Sequence, residues 1–256
     1  MFFDPLYLML LAPAMILALW AQFKVKRAYK LYSEVPTARG VTGAEVAHHI
    51  LRANGITDVP VEVADGFLSD HYDPRHRVLR LSSVPIERVP GQLSDHYDPR
   101  SRTVRLSEST FDHPTPAAIA IATHEVGHAI QHARAYAPLV LRNTLAPVAM
   151  LGSNLAMILL MVGMFLHAMG LVYLGIIGFS AAVVFTLITL PVEFDASRRA
   201  KELLPQLGLV VAGEQAGVAK VLNAAALTYV AAAISAVLQL VYFLLRAGLL
   251  GGSRDE

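Results

Sequence analysis

Four long apolar stretches without a single charged side chain decide what this chain can fold into. Residues 5–23 (PLYLMLLAPAMILALWAQF), 147–166, 171–190 and about 221–245 are each long enough to cross a bilayer as a helix. Inside hydrocarbon every backbone N–H and C=O must be paired within its own segment, so a spanning stretch of this kind is predicted to be helical. At 55% hydrophobic and 16% charged residues, the chain is too apolar for an ordinary soluble domain.

The charges between these stretches predict an orientation. Asp4 precedes the first stretch, and Lys24, Lys26, Arg27 and Lys30 follow it. A secretory signal peptide carries its positive charge on the other flank, so residues 5–23 read as a membrane anchor with the N-terminus outside. His167, Ala168, Met169 and Gly170 alone separate the second and third stretches, which makes residues 147–190 a transmembrane hairpin. Both ends of a hairpin emerge on one side. Arg198, Arg199 and Lys201 make that side cytoplasmic by the same rule. Asn223, Tyr229 and Gln239 lie in the last stretch, where polar residues ordinarily face protein. The net charge of +1 suggests no nucleic-acid partner. With no cysteine, a metal site must be built from His, Glu or Asp.

One such site is visible in PTPAAIAIATHEVGHAIQHARAY, residues 114–136. Thr115 can cap a helix, Pro116 suits its first position, and a helix over 116–135 is predicted. Residues four apart share a helix face, so His124 and His128 can present two imidazoles to one ion. Glu125 stands beside that face, within reach of a water on the metal. Two ligands plus a proton-accepting carboxylate is the arrangement of zinc-assisted peptide hydrolysis.

A catalytic zinc needs a third protein ligand and an open position. His132 shares the face but lies a full turn too far along the axis. The pattern with a third histidine ten residues after the first fails, because that position is Arg134. Glu193 is the favoured candidate, since the hairpin returns it to the side that holds the histidines. Asp195 is the alternative; if Glu193 ligates, Asp195 becomes a group that orients a histidine.

Between the anchor and the metal helix lies an internal repeat. Residues 59–82 (VPVEVADGFLSDHYDPRHRVLRLS) recur at 84–107 (VPIERVPGQLSDHYDPRSRTVRLS). Each copy reads as two short strands around an Asp-Pro-Arg turn. His71, Asp73, His96 and Asp98 are read as turn and packing residues rather than metal ligands. A strand edge leading into the metal helix could hold a peptide as an added strand. Upstream, Thr42 and Glu45 form a capping box for a short helix that Gly55 can end. His48 and His49, adjacent on that helix, face different ways and are read as packing or surface residues.

The succession of a span, a soluble segment with HYDPR, ATHEVGHAIQ, a membrane hairpin, LPVEFDASRRA and LNAAALTYVAAA resembles the YugP-like neutral zinc metallopeptidases of bacteria. More distantly it is similar to the HtpX-like and CAAX-prenyl membrane peptidases. The resemblance implies His124, His128 and Glu193 as Zn2+ ligands and Glu125 as catalytic base. Two departures stand out. The distant relatives carry Asp four residues after the glutamate, where this chain has Ser197, and the YugP-like pattern has one HYDPR segment where this chain has two. The second copy, nearer the metal helix, is taken as the functional one.

The fold class expected is therefore mainly α: integral membrane helices with a small cytoplasmic α+β metallopeptidase region, its active-site helices gluzincin-like, its strands in short β-hairpins. The regions expected are helix 1 at 5–23, a cytoplasmic region at 24–138, the hairpin at 147–190, a cytoplasmic segment at 191–220 bearing the third ligand, and helix 4 at 221–245. The activity expected is that of a membrane-embedded zinc endopeptidase in a bacterial cell membrane. Its partners would be membrane lipid and a peptide or membrane-protein substrate. His113, Tyr136, Arg198, Arg199 and Tyr229 are candidate donors to the oxyanion, and Asp195 and Ser197 candidate supports of the ligands. A catalytically silent zinc scaffold is the main rival, and the intact Glu125 argues against it. A small metal or proton transporter is the other, disfavoured by spans that carry no charge.

Overall fold

The computed structural model describes residues 4–56, 61–63, 86–89 and 94–250. Its elements run α1 (Pro5–Ser33), α2 (Gly43–Ala53), β1 (Val61–Val63), β2 (Ile86–Val89), β3 (His96–Asp98), β4 (Thr103–Ser107), α3 (Glu108–Phe111), α4 (Pro116–Ala133), α5 (Ala137–Phe165), α6 (Met169–Gln206) and α7 (Ala212–Arg246). The fold is mainly helical. Among the described residues α1, α5, α6 and α7 are long and apolar enough to cross a membrane. These helices overrun the uncharged stretches: α5 begins ten residues before 147, and α6 continues past 190 to Gln206. Once a helix is nucleated, extending it through residues of good propensity costs little, so hydropathy marks the membrane-compatible part and not the helix ends.

The residues fall into two compact units. One comprises Met1–Lys24, Ala137–Glu193 and Ala225–Glu256. Its core includes Ala156, Leu160, Val172, Ile176, Phe179, Tyr242 and Phe243. Gly175 and Gly178 let α6 approach α5 closely: a Cβ on Gly175 would lie 2.6 Å from Leu160 Cγ. Tyr242 donates a hydrogen bond to Asp4 Oδ2 at 3.0 Å, tying the last helix to the residue that precedes the first.

The other unit comprises Val25–Tyr136 and Phe194–Ala224. Its core is built by α2, β4, α4 and the ends of α6 and α7, around Ile50, Leu51, Leu106, Ile119, Ile130, Leu204 and Leu222. The capping box of α2 is complete, with Glu45 N donating to Thr42 Oγ1 and Thr42 N to Glu45 Oε2. Gly55 follows that helix with φ +77°. His49 is exposed, whereas both ring nitrogens of His48 are buried without a partner among the described residues. Burial, with Arg52 adding to it, lowers the His48 pKa and keeps that ring neutral. Asn223 is exposed, not facing protein as its place in an apolar stretch implied; its Oδ1 accepts from Lys201 Nζ.

The strands form one sheet of order β1-β2-β4-β3. β3 and β4 are the expected antiparallel hairpin of the second repeat copy. β1, β2 and β4 run parallel, which corrects the reading of the sheet as hairpins alone. The register explains why. Val61 pairs with Ile86, Glu62 with Glu87 and Val63 with Arg88, an offset of 25 that equals the repeat offset, so equivalent residues of the two copies lie side by side. Most of the first copy, with His71 and Asp73, lies outside the described residues.

In the second copy Asp98 organises the turn. It accepts from Arg100 N at 2.9 Å, Ser101 Oγ at 2.8 Å and Arg105 Nη1 at 2.8 Å. Burial alone would push its pKa up, but the Arg105 guanidinium and these donors outweigh it and hold the carboxyl at about 2. A folded-state pKa below the unfolded value of about 3.9 contributes stability above about pH 4 that is lost as pH falls toward 2. Asp98→Asn should therefore lower the unfolding midpoint at neutral pH, by the equivalent of about 1–3 kcal/mol. The gap to the unsubstituted protein should close between about pH 4 and pH 2. Scanning calorimetry in detergent across that range checks it; a gap independent of pH would refute it.

Candidate metal centre

The chemistry is set on α4. Thr115 Oγ1 accepts from Ala118 N at 3.2 Å, starting the helix at Pro116 as the sequence implies. One turn separates His124 from His128, and their rings stand edge to face with centroids 4.8 Å apart. Gly127 lies between them on a face that touches α6: a Cβ there would meet Ala196 O at 3.0 Å and Ala196 Cα at 3.1 Å. Only a residue without a side chain allows this approach without displacing backbone.

That contact holds residues 194–197 of α6 against the metal helix. Ligand atoms of His124, His128 and Glu193 all lie within 4.8 Å of one another, the one group among the described residues that could hold a metal ion. The set fits zinc in donor type, since two imidazoles and a carboxylate are ligands that such an ion takes. Glu193 is only 1% exposed. A buried carboxylate needs a positive partner, and Arg142 of α5 places Nη1 3.6 Å from Glu193 Oε1.

Each histidine also has a polar neighbour at Nδ1. His124 Nδ1 lies 3.1 Å from Ser197 Oγ, so the residue that departs from the distant relatives' Asp still reaches the imidazole. His128 Nδ1 lies 3.0 Å from Gln131 Oε1. Asp195, expected from the sequence to orient a histidine, meets His128 only through Gln131: it accepts from Gln131 Nε2 at 2.9 Å, and also from Arg199 Nε at 2.6 Å and from Arg198.

Glu125 differs from its acidic neighbours. It is buried to 9% exposure, yet no side chain among the described residues bonds to its carboxylate. Glu193 and Asp195 are each tied to arginine.

His132 lies outside the ligand group. Its Nδ1 stands 2.7 Å from Tyr97 Oη, and the two rings meet edge to face. Burial, opposed by Arg102, pushes the Tyr97 phenol up to about 12, and burial with Arg102 lowers the His132 pKa. Which of the two donates is set by the tautomer of the imidazole. This bond ties the second HYDPR copy to the metal helix. His96 is exposed, against the expectation that it packs, with Nδ1 2.8 Å from Ser94 O. His113 is exposed before α4, Tyr136 is half-buried just after it, and Tyr229 lies on α7 with 36% exposure. Arg198 and Arg199 are held by Asp195.

Sequence reasoning missed Gln131 and Arg142. Gln131 falls three residues after His128, a spacing that puts it on the ligand face and could have marked it. Arg142 falls between the metal helix and the first uncharged residue of the hairpin, in a stretch given no structure.

A model of the family described as "Putative neutral zinc metallopeptidase" matches residues 7–84 and 81–248. The two pieces overlap where one copy of the repeat gives way to the next, so each carries one copy. The protein named "Putative membrane protease YugP" from Bacillus subtilis (strain 168) is 46% identical over 240 residues, which cover 94% of this chain and 96% of that protein. No solved structure matches the chain. Matched over nearly its whole length, and carrying a His124, His128 and Glu193 cluster suited to Zn2+, the chain belongs to the neutral zinc metallopeptidase family.

Proposed function

We propose that the protein is a membrane-embedded zinc endopeptidase in which His124, His128 and Glu193 hold the metal and Glu125 is the general base. The observation that carries this is the contrast among the acids: Glu125 has no partner among the described residues, while Glu193 and Asp195 are paired. Zinc held by these residues would supply a bound water with its pKa lowered toward about 7 and a Lewis acid for a peptide carbonyl. Glu125 takes the proton from the attacking water and later delivers it to the departing amine. Arg142 neutralises the ligand carboxylate. Among the described residues β3 pairs on one side only, with β4, and Tyr97 within it is bonded to the metal helix. A substrate segment added along β3 would be carried toward α4. The substrates are then extended peptides or unfolded stretches of membrane proteins.

Purified in detergent, the protein should contain about one zinc per chain and cleave denatured casein. Removal of the metal by a chelator should stop cleavage, and added zinc should restore it. A zinc-loaded protein that cleaves neither casein nor a panel of unfolded membrane proteins would overturn the reading.

The same reading puts the site on the cytoplasmic side of a bacterial cell membrane. Support comes from Lys24, Lys26, Arg27 and Lys30 after the first apolar stretch and from Arg198, Arg199 and Lys201 after the third. The chain has no cysteine, so single labels are unambiguous. Glu108, His167 and Gln206 are exposed. In intact cells an impermeant thiol reagent should label H167C and spare E108C and Q206C. The opposite pattern would invert the topology.

A further inference from the structure

Gln131 is fully buried and bridges His128 to Asp195. The polarity of that bridge is not free. Asp195 is gripped by Arg198 and Arg199, so it stays a carboxylate and can only accept hydrogen bonds. The Gln131 amide must then turn its NH2 toward Asp195, and its oxygen toward His128. An amide oxygen also only accepts, so the His128 nitrogen facing it must carry the proton. In the neutral ring this leaves the lone pair on Nε2. At His124 the neighbour of Nδ1 is the Ser197 hydroxyl, which can either donate or accept.

We propose that Gln131 and Asp195 form a one-way hydrogen-bond relay that fixes His128 in the tautomer with Nδ1 protonated and Nε2 open to the metal. Both are positioning residues: they act on zinc through His128 and touch neither metal nor substrate. The relay draws one histidine's tautomer, an amide and an ion pair from two helices into a single arrangement, and Gly127 makes it possible by letting α4 and α6 touch. The relay depends on the proposed ligand set only in that His128 Nε2 is the ligating atom.

The test has two readouts on the full chain in detergent. The first needs no metal. In metal-free protein carrying 15N-histidine, at about pH 8 where imidazole is neutral, His128 should show a protonated Nδ1 and a bare Nε2. Its signal is identified by its loss in H128Q. Gln131→Met, which conserves volume, should give a mixture of the two tautomers. The second readout is zinc affinity by competition with a chromophoric chelator. Gln131→Met and Gln131→Glu should each weaken zinc by about 10–100-fold, the latter because two acceptors then face each other. Combining Gln131→Glu with Asp195→Asn restores the polarity, since the introduced carboxylate accepts both from His128 and from the introduced amide. The double variant should bind zinc about tenfold more tightly than Gln131→Glu alone, though short of the original because Arg199 loses its acceptor. A residue that merely fills space predicts that the double variant is worse than either single one, and that result would overturn the relay. So would a bare Nδ1 in the unsubstituted protein. A protonated Nδ1 in a protein that binds no zinc would uphold the relay and refute the ligand set instead.

Discussion

Glu125→Gln should leave about one zinc bound per chain while peptide hydrolysis falls by roughly 10²–10⁴-fold. The substitution changes one oxygen to nitrogen and keeps the shape of the side chain. Glu125 is absent from the group of ligand atoms within 4.8 Å of one another, so the metal should not depend on it. Its carboxylate has no partner among the described residues, so no fold-stabilising bond is lost. In the proposed mechanism, what disappears is the ability to take a proton from the attacking water. Zinc content by mass spectrometry and casein cleavage, measured on one preparation, check both halves. The outcome also separates the readings that the sequence leaves open. A peptidase loses activity, a silent scaffold keeps its partner, and a transporter keeps its flux. Loss of zinc together with activity would instead make Glu125 a ligand.

The second large effect belongs to Glu193. Glu193→Ala should lose zinc and activity together, as His124→Ala and His128→Ala should. Binding of a site-held zinc is worth about 10–16 kcal/mol, so one ligand of three or four carries roughly 3 kcal/mol, at least a hundredfold in affinity. Removing this carboxylate also takes from Arg142 the anion 3.6 Å away. Glu193→Gln keeps the shape with a weaker donor and should fall between. His132→Ala is the control. It gives up the bond to Tyr97, yet should keep its zinc and most of its activity, because His132 is not in the ligand group. Zinc retained in Glu193→Ala but lost in Asp195→Ala or His132→Ala would mean that the ligand set is wrong.

How much of this was legible beforehand depended on how local each feature is. His124 and His128 are one helical turn apart, so spacing alone puts them on one face. The four apolar helices are written in composition, although their ends are not, because nothing in hydropathy marks where α5 starts at Ala137. Glu193 lies 65 residues beyond His128 and was reached through topology: a hairpin must return its end to the starting side. Gln131 and Arg142 were not found. An amide on an apolar helix looks like any polar residue until the partner helix supplies Asp195. Arg142 stands in a stretch that hydropathy leaves blank. The parallel register of β1 with β2 was likewise hidden, although the repeat offset of 25 contained it. Strand pairing depends on what lies beside a strand, and a single strand carries little of that information.

X-ray absorption at the zinc edge, on the purified protein and on Glu193→Ala, reads the proposed ligand set at the metal itself. The predicted spectrum for the unsubstituted protein has two imidazoles and oxygen donors at about 2.0–2.2 Å. Glu193→Ala, loaded at saturating zinc, should keep both imidazoles and lose the carboxylate. A zinc shell with three imidazoles, or one left unchanged by the loss of Glu193, would contradict it.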